Sequence, residues 1–217
     1  MCYSSLILCA TPRSGSTFLC DLLTATGVVG KPASYYRRED IGEWAEHLGV
    51  PPGKGAAFER AYLEAVRRKG TGDTGVFALR LMWPSLAELS ARLALLFPGL
   101  ASDVARFERA FGPPLYLHLS RRNKVAQAVS RLKAMQTGLW HLAADGSERE
   151  RTAPPQAPRY DGDRLAAFAA EAEAADTAWT AWFAQQSITP LRIYYEDFST
   201  PKPPGPSRSG PPEWPTP

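Results

Sequence analysis

An uninterrupted apolar run ends at a Thr-Pro-Arg-Ser-Gly turn, and helical spacing begins on its far side: Ser4 to Thr26 reads SSLILCATPRSGSTFLCDLLTAT. A strand with no polar alternation, here about Ser4 to Ala10, is covered on both faces, the condition of a strand inside a parallel sheet. Gly15 supplies the turn. Phe18, Leu19, Leu22 and Leu23 then recur at helical spacing until Gly27 stops the helix. Strand, tight turn and helix make the first half of a βαβ unit, which commits the chain to a sheet layered by helices. The same turn is an anion cradle, because its backbone N–H groups and the positive end of the new helix converge on one point. Ser14, Ser16 and Thr17 add hydroxyl donors, and Arg13 adds a planar fork of N–H groups suited to phosphate or sulfate. The turn is shorter than a GxxxxGK[ST] loop and lacks its lysine, so the pattern points to an anionic nucleotide gripped without ordinary ATPase machinery.

Further along, Gly42 to Leu48 is expected as a short helix, Phe58 to Arg68 as an amphipathic helix, Val76 to Met82 as a strand, and Pro84 to Phe97 as a helix opened by proline. A third strand is expected over Leu115 to Leu119, a long helix over Asn123 to Leu142, a second long helix over Asp163 to Gln185, and a last strand over Leu191 to Tyr195. The alternation predicts an α/β fold around a mostly parallel central sheet flanked by helices. The domain is expected over residues 1–198. Over residues 199–217 eight of nineteen residues are proline, a composition that predicts a disordered tail.

With 217 residues and 44% hydrophobic content, the chain suffices for one sizeable core. Twenty-five basic against 22 acidic residues is too even a balance for a dedicated nucleic-acid binder, and a local basic site for a small anion fits better. Cys2, Cys9 and Cys20 form no CxxC pair and read as reduced residues of a cytoplasmic protein. The apolar run Leu6 to Ala10 is too short for a signal peptide, and no run is long enough for a membrane span. His47, His118 and His141 are too scattered to suggest metal ligands, and His118, within a strand, reads as a core residue.

The third strand runs out into Ser120, Arg121, Arg122, Asn123 and Lys124, with Ser130 on the following helix. The C-terminal edges of parallel strands lie together, so this arginine pair is expected to open beside the first cradle. Five segments occur in order: TPRSGSTFL, GKPASYY, ALRLMW, RRNKVAQAVSRLKAMQTGLWH and YYEDF. Together they resemble the bacterial carbohydrate sulfotransferases of the trehalose 2-sulfotransferase type, over roughly residues 1–198. The resemblance implies a P-loop-like sulfotransferase fold that binds 3′-phosphoadenosine 5′-phosphosulfate and passes its sulfuryl group to a hydroxyl of a carbohydrate or glycolipid. It places Arg13, Ser14, Gly15, Ser16 and Thr17 at the 5′-phosphosulfate, with the charge of Arg13 balancing the leaving phosphate. It places Arg121 or Arg122 with Ser130 at the 3′-phosphate. It also implies a homodimer, no metal, and an acceptor site for which Tyr35, Tyr36, Trp83 and Trp140 are the candidate stacking faces.

Two departures accompany the resemblance. Where the trehalose enzyme carries a glutamate as general base, this chain has Ser34, a poor proton acceptor at neutral pH. Glu39, Asp40, Glu46 and His47 remain as candidates, each more often a solvated surface group. The resemblance also implies a helical portion after YYEDF, where the proline-rich tail stands instead. Two rival readings follow: a small P-loop kinase, built on the same strand, turn and helix, and a degenerate nucleotide-binding protein without turnover.

Overall fold

The computed structural model describes residues 3–142 and 146–199, so Cys2 and all but the first residue of the proline-rich tail lie outside the described residues. Four strands form one parallel sheet: β1 (Ser5–Ala10), β2 (Phe77–Met82), β3 (Pro114–Ser120) and β6 (Leu191–Tyr194), in the order β2-β1-β3-β6. Every residue of β1 is buried, as its unbroken apolar pattern requires of a central strand. The register pairs Ala10 with Met82 on one side and with Leu119 on the other, so the loops that follow these three strands emerge side by side. The chain turns from β1 to β2 on one flank and to β3 on the other. The crevice at this reversal of strand order is where open α/β sheets bind ligands.

Alternate side chains divide the sheet between two layers. Ile7, Cys9, Leu79 and Leu81 face the larger core, which includes residues of α2 (Ile41–His47), α3 (Gly55–Thr71), α4 (Trp83–Leu96), α5 (Asp103–Phe111) and α7 (Gly162–Gln185). Leu6, Leu8, Ala10, Leu117 and Leu119 face a smaller core closed by Leu19 and Cys20 of α1 (Ser16–Ala25). Trp179 of α7 lies fully buried between Trp83, Trp182 and Phe183, and its Nε1–H donates to Ala10 O at 3.0 Å, fastening α7 to the end of the central strand.

One predicted element changes identity. The helix expected over Asn123 to Leu142 ends early: α6 spans Lys124–Thr137, Gly138 turns the chain at φ 69°, and Leu139–Leu142 becomes β4, paired antiparallel with β5 (Glu148–Arg151). A Cβ at Gly138 would stand 2.5 Å from Ala153 N, so only glycine permits both the left-handed turn and the close backbone behind it. Trp140 and His141 therefore sit on a hairpin that folds back toward α1. A five-residue helix, α8 (Tyr195–Ser199), follows β6. Among the described residues no helix is long and apolar enough to cross a membrane.

Candidate active site

The loop between β1 and α1 is built for an anion. Arg13 and Gly15 both adopt left-handed backbone conformations, φ 63° and 87°, which turn the chain tightly into the helix. Gly15 is the N-cap of α1 and no side chain caps it, so the first N–H groups of the helix keep their donors for a ligand. A cavity of about 510 Å³ opens there, lined among others by Arg13, Ser16, Thr17, Ser130, His141 and Tyr195.

The structure brings Arg13 and Ser130, expected at different anion sites, to the wall of one cavity. Arg13 Nε–H donates to Ser130 Oγ at 3.0 Å, and Arg13 Nη1–H donates to the Trp140 carbonyl at 2.5 Å. Burial lowers the Arg13 pKa from its ordinary value, with Glu150 opposing and Arg121 reinforcing the shift. Arg121 and Arg122 separate sharply. Arg121 stacks 4.6 Å from the Tyr195 ring, and its Nη1 lies 3.5 Å from the Arg13 carbonyl, against the cradle. Arg122 turns outward, pairs through both Nη atoms with Asp197 at 2.6 and 3.2 Å, and covers the Tyr194 ring.

Other candidates stand elsewhere. The Ser14 hydroxyl is buried and donates to Thr11 O at 2.7 Å, so it staples the turn from behind rather than facing a ligand. Tyr35 and Tyr36 are 1% and 2% exposed, packed edge-on against Trp44 and Tyr62 respectively, and neither offers a free face to a sugar. Burying two large rings in the main core outweighs exposing them. Trp83 opens α4, half-buried, with its ring edge-on to Trp179 and packed against the larger core. Of the four aromatic candidates only Trp140 adjoins the site: its ring lies 6.0 Å from the Arg13 guanidinium carbon, and its Nε1–H donates to Thr152 Oγ1 at 3.1 Å. Ser34 is buried, and its Oγ accepts from Arg80 Nε at 2.9 Å. Arg37 engages both Glu39 and Asp40, while Glu46 and His47 line other surface hollows, so none of these four borders the cradle cavity.

Arg80, Tyr195 and His141 are functional neighbours that the motif pattern does not single out. Arg80, in the middle of β2, spans from Ser34 to the cradle, its Nη1–H donating to Thr17 Oγ1 at 2.7 Å. A charge between two fully buried leucines of an apolar strand was the signal available for it. Tyr195 lies over Gly15 so closely that a Cβ there would stand 2.2 Å from its Cδ2. His141 Nε2 lies 3.3 Å from Thr17 Oγ1 and 3.5 Å from Glu150 Oε2. Burial pushes the Cys20 thiol up to about 11 and that of Cys9 well above its ordinary value, so neither described cysteine serves as a nucleophile at neutral pH. Among the described residues no group of three or more His, Cys, Asp or Glu side chains could hold a metal ion.

A parallel sheet, a positive cradle at its crevice and two arginines from adjacent loops restrict the family, and sequence comparison decides it. The Stf0 sulphotransferase family matches residues 5–203. The chain belongs to that family. It is 30% identical over 210 residues to a trehalose 2-sulfotransferase of Mycobacterium tuberculosis, covering 87% of this chain and 76% of the relative. It is 27% identical over 212 residues to a trehalose 2-sulfotransferase of Mycolicibacterium smegmatis, with the same coverage, 87% and 76%. The Stf0 match spans all four strands of the central sheet and every residue named in the cavity.

Proposed function

We propose that the chain transfers the sulfuryl group of 3′-phosphoadenosine 5′-phosphosulfate to a hydroxyl of a carbohydrate, trehalose being the first acceptor to try. One observation carries this reading: Arg13, from the loop expected at the phosphosulfate, hydrogen bonds to Ser130, expected at the 3′-phosphate, within a single cavity. Two anion sites that close together suit a small nucleotide bearing phosphate groups at both ends of its ribose. The donor set fits as well, since Arg13, Arg80 and Arg121 supply positive charge, Ser16, Thr17 and Ser130 supply hydroxyls, and the start of α1 supplies uncapped N–H groups. When bound, the donor supplies an activated sulfuryl group with a phosphate leaving group. The protein's part is to align the acceptor oxygen with that bond and to hold the charge that builds on departure. Arg121, resting against the cradle, is the better placed of the arginine pair for the 3′-phosphate, because Arg122 is occupied by Asp197.

Calorimetric titration with adenosine 3′,5′-bisphosphate, the spent donor, tests this reading against ATP with magnesium. Bisphosphate binding without ATP binding, followed by transfer of radiolabelled sulfate to trehalose or another sugar, is the expected result. Preference for ATP would select the kinase reading, and bisphosphate binding with no donor consumption would select a nucleotide-binding protein without turnover.

A further inference from the structure

We infer that His141 is the general base of the transfer, taking over at the hairpin the task that Ser34 cannot perform from the loop after α1. The inference rests on the sulfotransferase reading above. His141 lines the cradle cavity, and its Nε2 lies 3.3 Å from Thr17 Oγ1, a hydroxyl of the phosphosulfate loop. A base there stands beside the group to be transferred. Thr17 Oγ1 accepts from Arg80 Nη1–H, so its own proton can be donated to Nε2, which puts the lone pair of the ring on the side of the cradle. The carboxylate that lines the cavity, Asp21, is bound to Arg149 at 2.7 Å and is less free to accept a proton.

Charges around the ring come from every element packed against it: Arg13 from the loop, Asp21 from α1, Arg80 from β2, and Arg149 and Glu150 from β5. Burial first, and then Arg13, Arg80 and Arg149, push His141 down to about 4, so the imidazole is neutral and able to accept a proton at pH 7. In the transfer an acceptor oxygen lone pair forms the new S–O bond. The bond from sulfur to the 5′-phosphate oxygen breaks, its electron pair leaving with the phosphate. The hydroxyl proton passes to the imidazole, which returns it to solvent before the next turnover. The dianionic end of the spent nucleotide raises the proton affinity of the ring as the reaction proceeds, the direction a base requires.

The test compares the full chain with His141→Gln and His141→Ala. Bisphosphate affinity serves as the control for folding and for the donor site, and donor consumption is followed with trehalose and with water alone as acceptor. The expected result is bisphosphate affinity within about twofold of the parent and a loss of turnover of about a hundredfold or more in both variants. Imidazole in the buffer should restore part of the loss in His141→Ala. A second readout is independent of turnover: the NMR titration midpoint of His141 should rise when the parent chain is saturated with bisphosphate. Failure of the parent to bind bisphosphate overturns the sulfotransferase reading itself, and binding without donor consumption by the parent overturns turnover. A parent that turns over, with variants as fast as it or a midpoint indifferent to bisphosphate, overturns the assignment of His141 alone.

Discussion

Arg80 occupies the middle of an apolar strand, between Leu79 and Leu81, both fully buried. Desolvating a guanidinium there is unfavourable unless its donors are used, and both ends are: Nε binds Ser34 and Nη1 binds Thr17. The side chain thus joins the loop after α1 to the first turn of α1, where charge would build in the proposed transfer. Arg80→Ala is expected to lower kcat by about a hundredfold while changing bisphosphate affinity far less, because its contact is to Thr17 rather than to Ser130. Arg13→Ala should do both, weakening bisphosphate binding by at least about tenfold and lowering turnover further, since Arg13 lies in the proposed phosphosulfate loop and bonds to Ser130 of the proposed 3′-phosphate site. Steady-state kinetics beside calorimetry separates the two arginines, and equal effects of both substitutions on affinity would contradict this division.

At the level of elements, the site depends on what glycine allows. Gly15→Ala would force a side chain into the Tyr195 ring at a left-handed φ, so it is expected to destabilise the chain by about 2 kcal/mol and to cost at least about tenfold in bisphosphate affinity. Urea denaturation and titration check both. The order of strands and helices was legible because β1, β2 and β3 are mostly apolar runs, with Arg80 and His118 as the exceptions inside β2 and β3, and because α7 buries Phe168, Ala172, Trp179 and Trp182 along one stripe. The end of α6 was not: Leu139 continues the apolar spacing of the helix, and the close approach of Ala153 that makes Gly138 obligatory arises from the segment just past β5, fifteen residues away. That error carried Trp140 and His141 with it, since placing them on a helix conceals their return to the cradle. Helix α5 has no counterpart among the predicted elements, although Ser102 caps it by accepting from Ala105 N at 3.2 Å. Arg13 and Ser130 stood out as candidate anion ligands, but their mutual contact depends on the β1–β3 register, which no local pattern encodes.

For the whole molecule, α7 is the strap across the sheet. Trp179→Ala removes a fully buried indole and its bond to Ala10, and is expected to lower unfolding free energy by about 4 kcal/mol in urea denaturation. One turn earlier on the same face of the helix Asp176 receives hydrogen bonds from Lys124 and Ser120 and lies near His118. Burial alone would raise its pKa, yet these partners outweigh it and hold the carboxyl below its ordinary value. A depressed carboxylate stabilises the fold above its unfolded pKa of about 3.9, and that contribution is lost as pH falls through the lower folded value. Asp176→Asn should therefore cost about 2 kcal/mol at pH 7, with the gap to the parent closing in strongly acidic buffer, as urea midpoints at both pH values would show. The Tyr195 ring resting on Gly15 ties the start of the sequence to its far end. During synthesis the cradle is made first, but its floor waits for a side chain translated 180 residues later. A nascent chain still short of Tyr195 carries the whole turn between β1 and α1 without the ring that rests on it, so the cavity takes its finished shape only after β6 has left the ribosome.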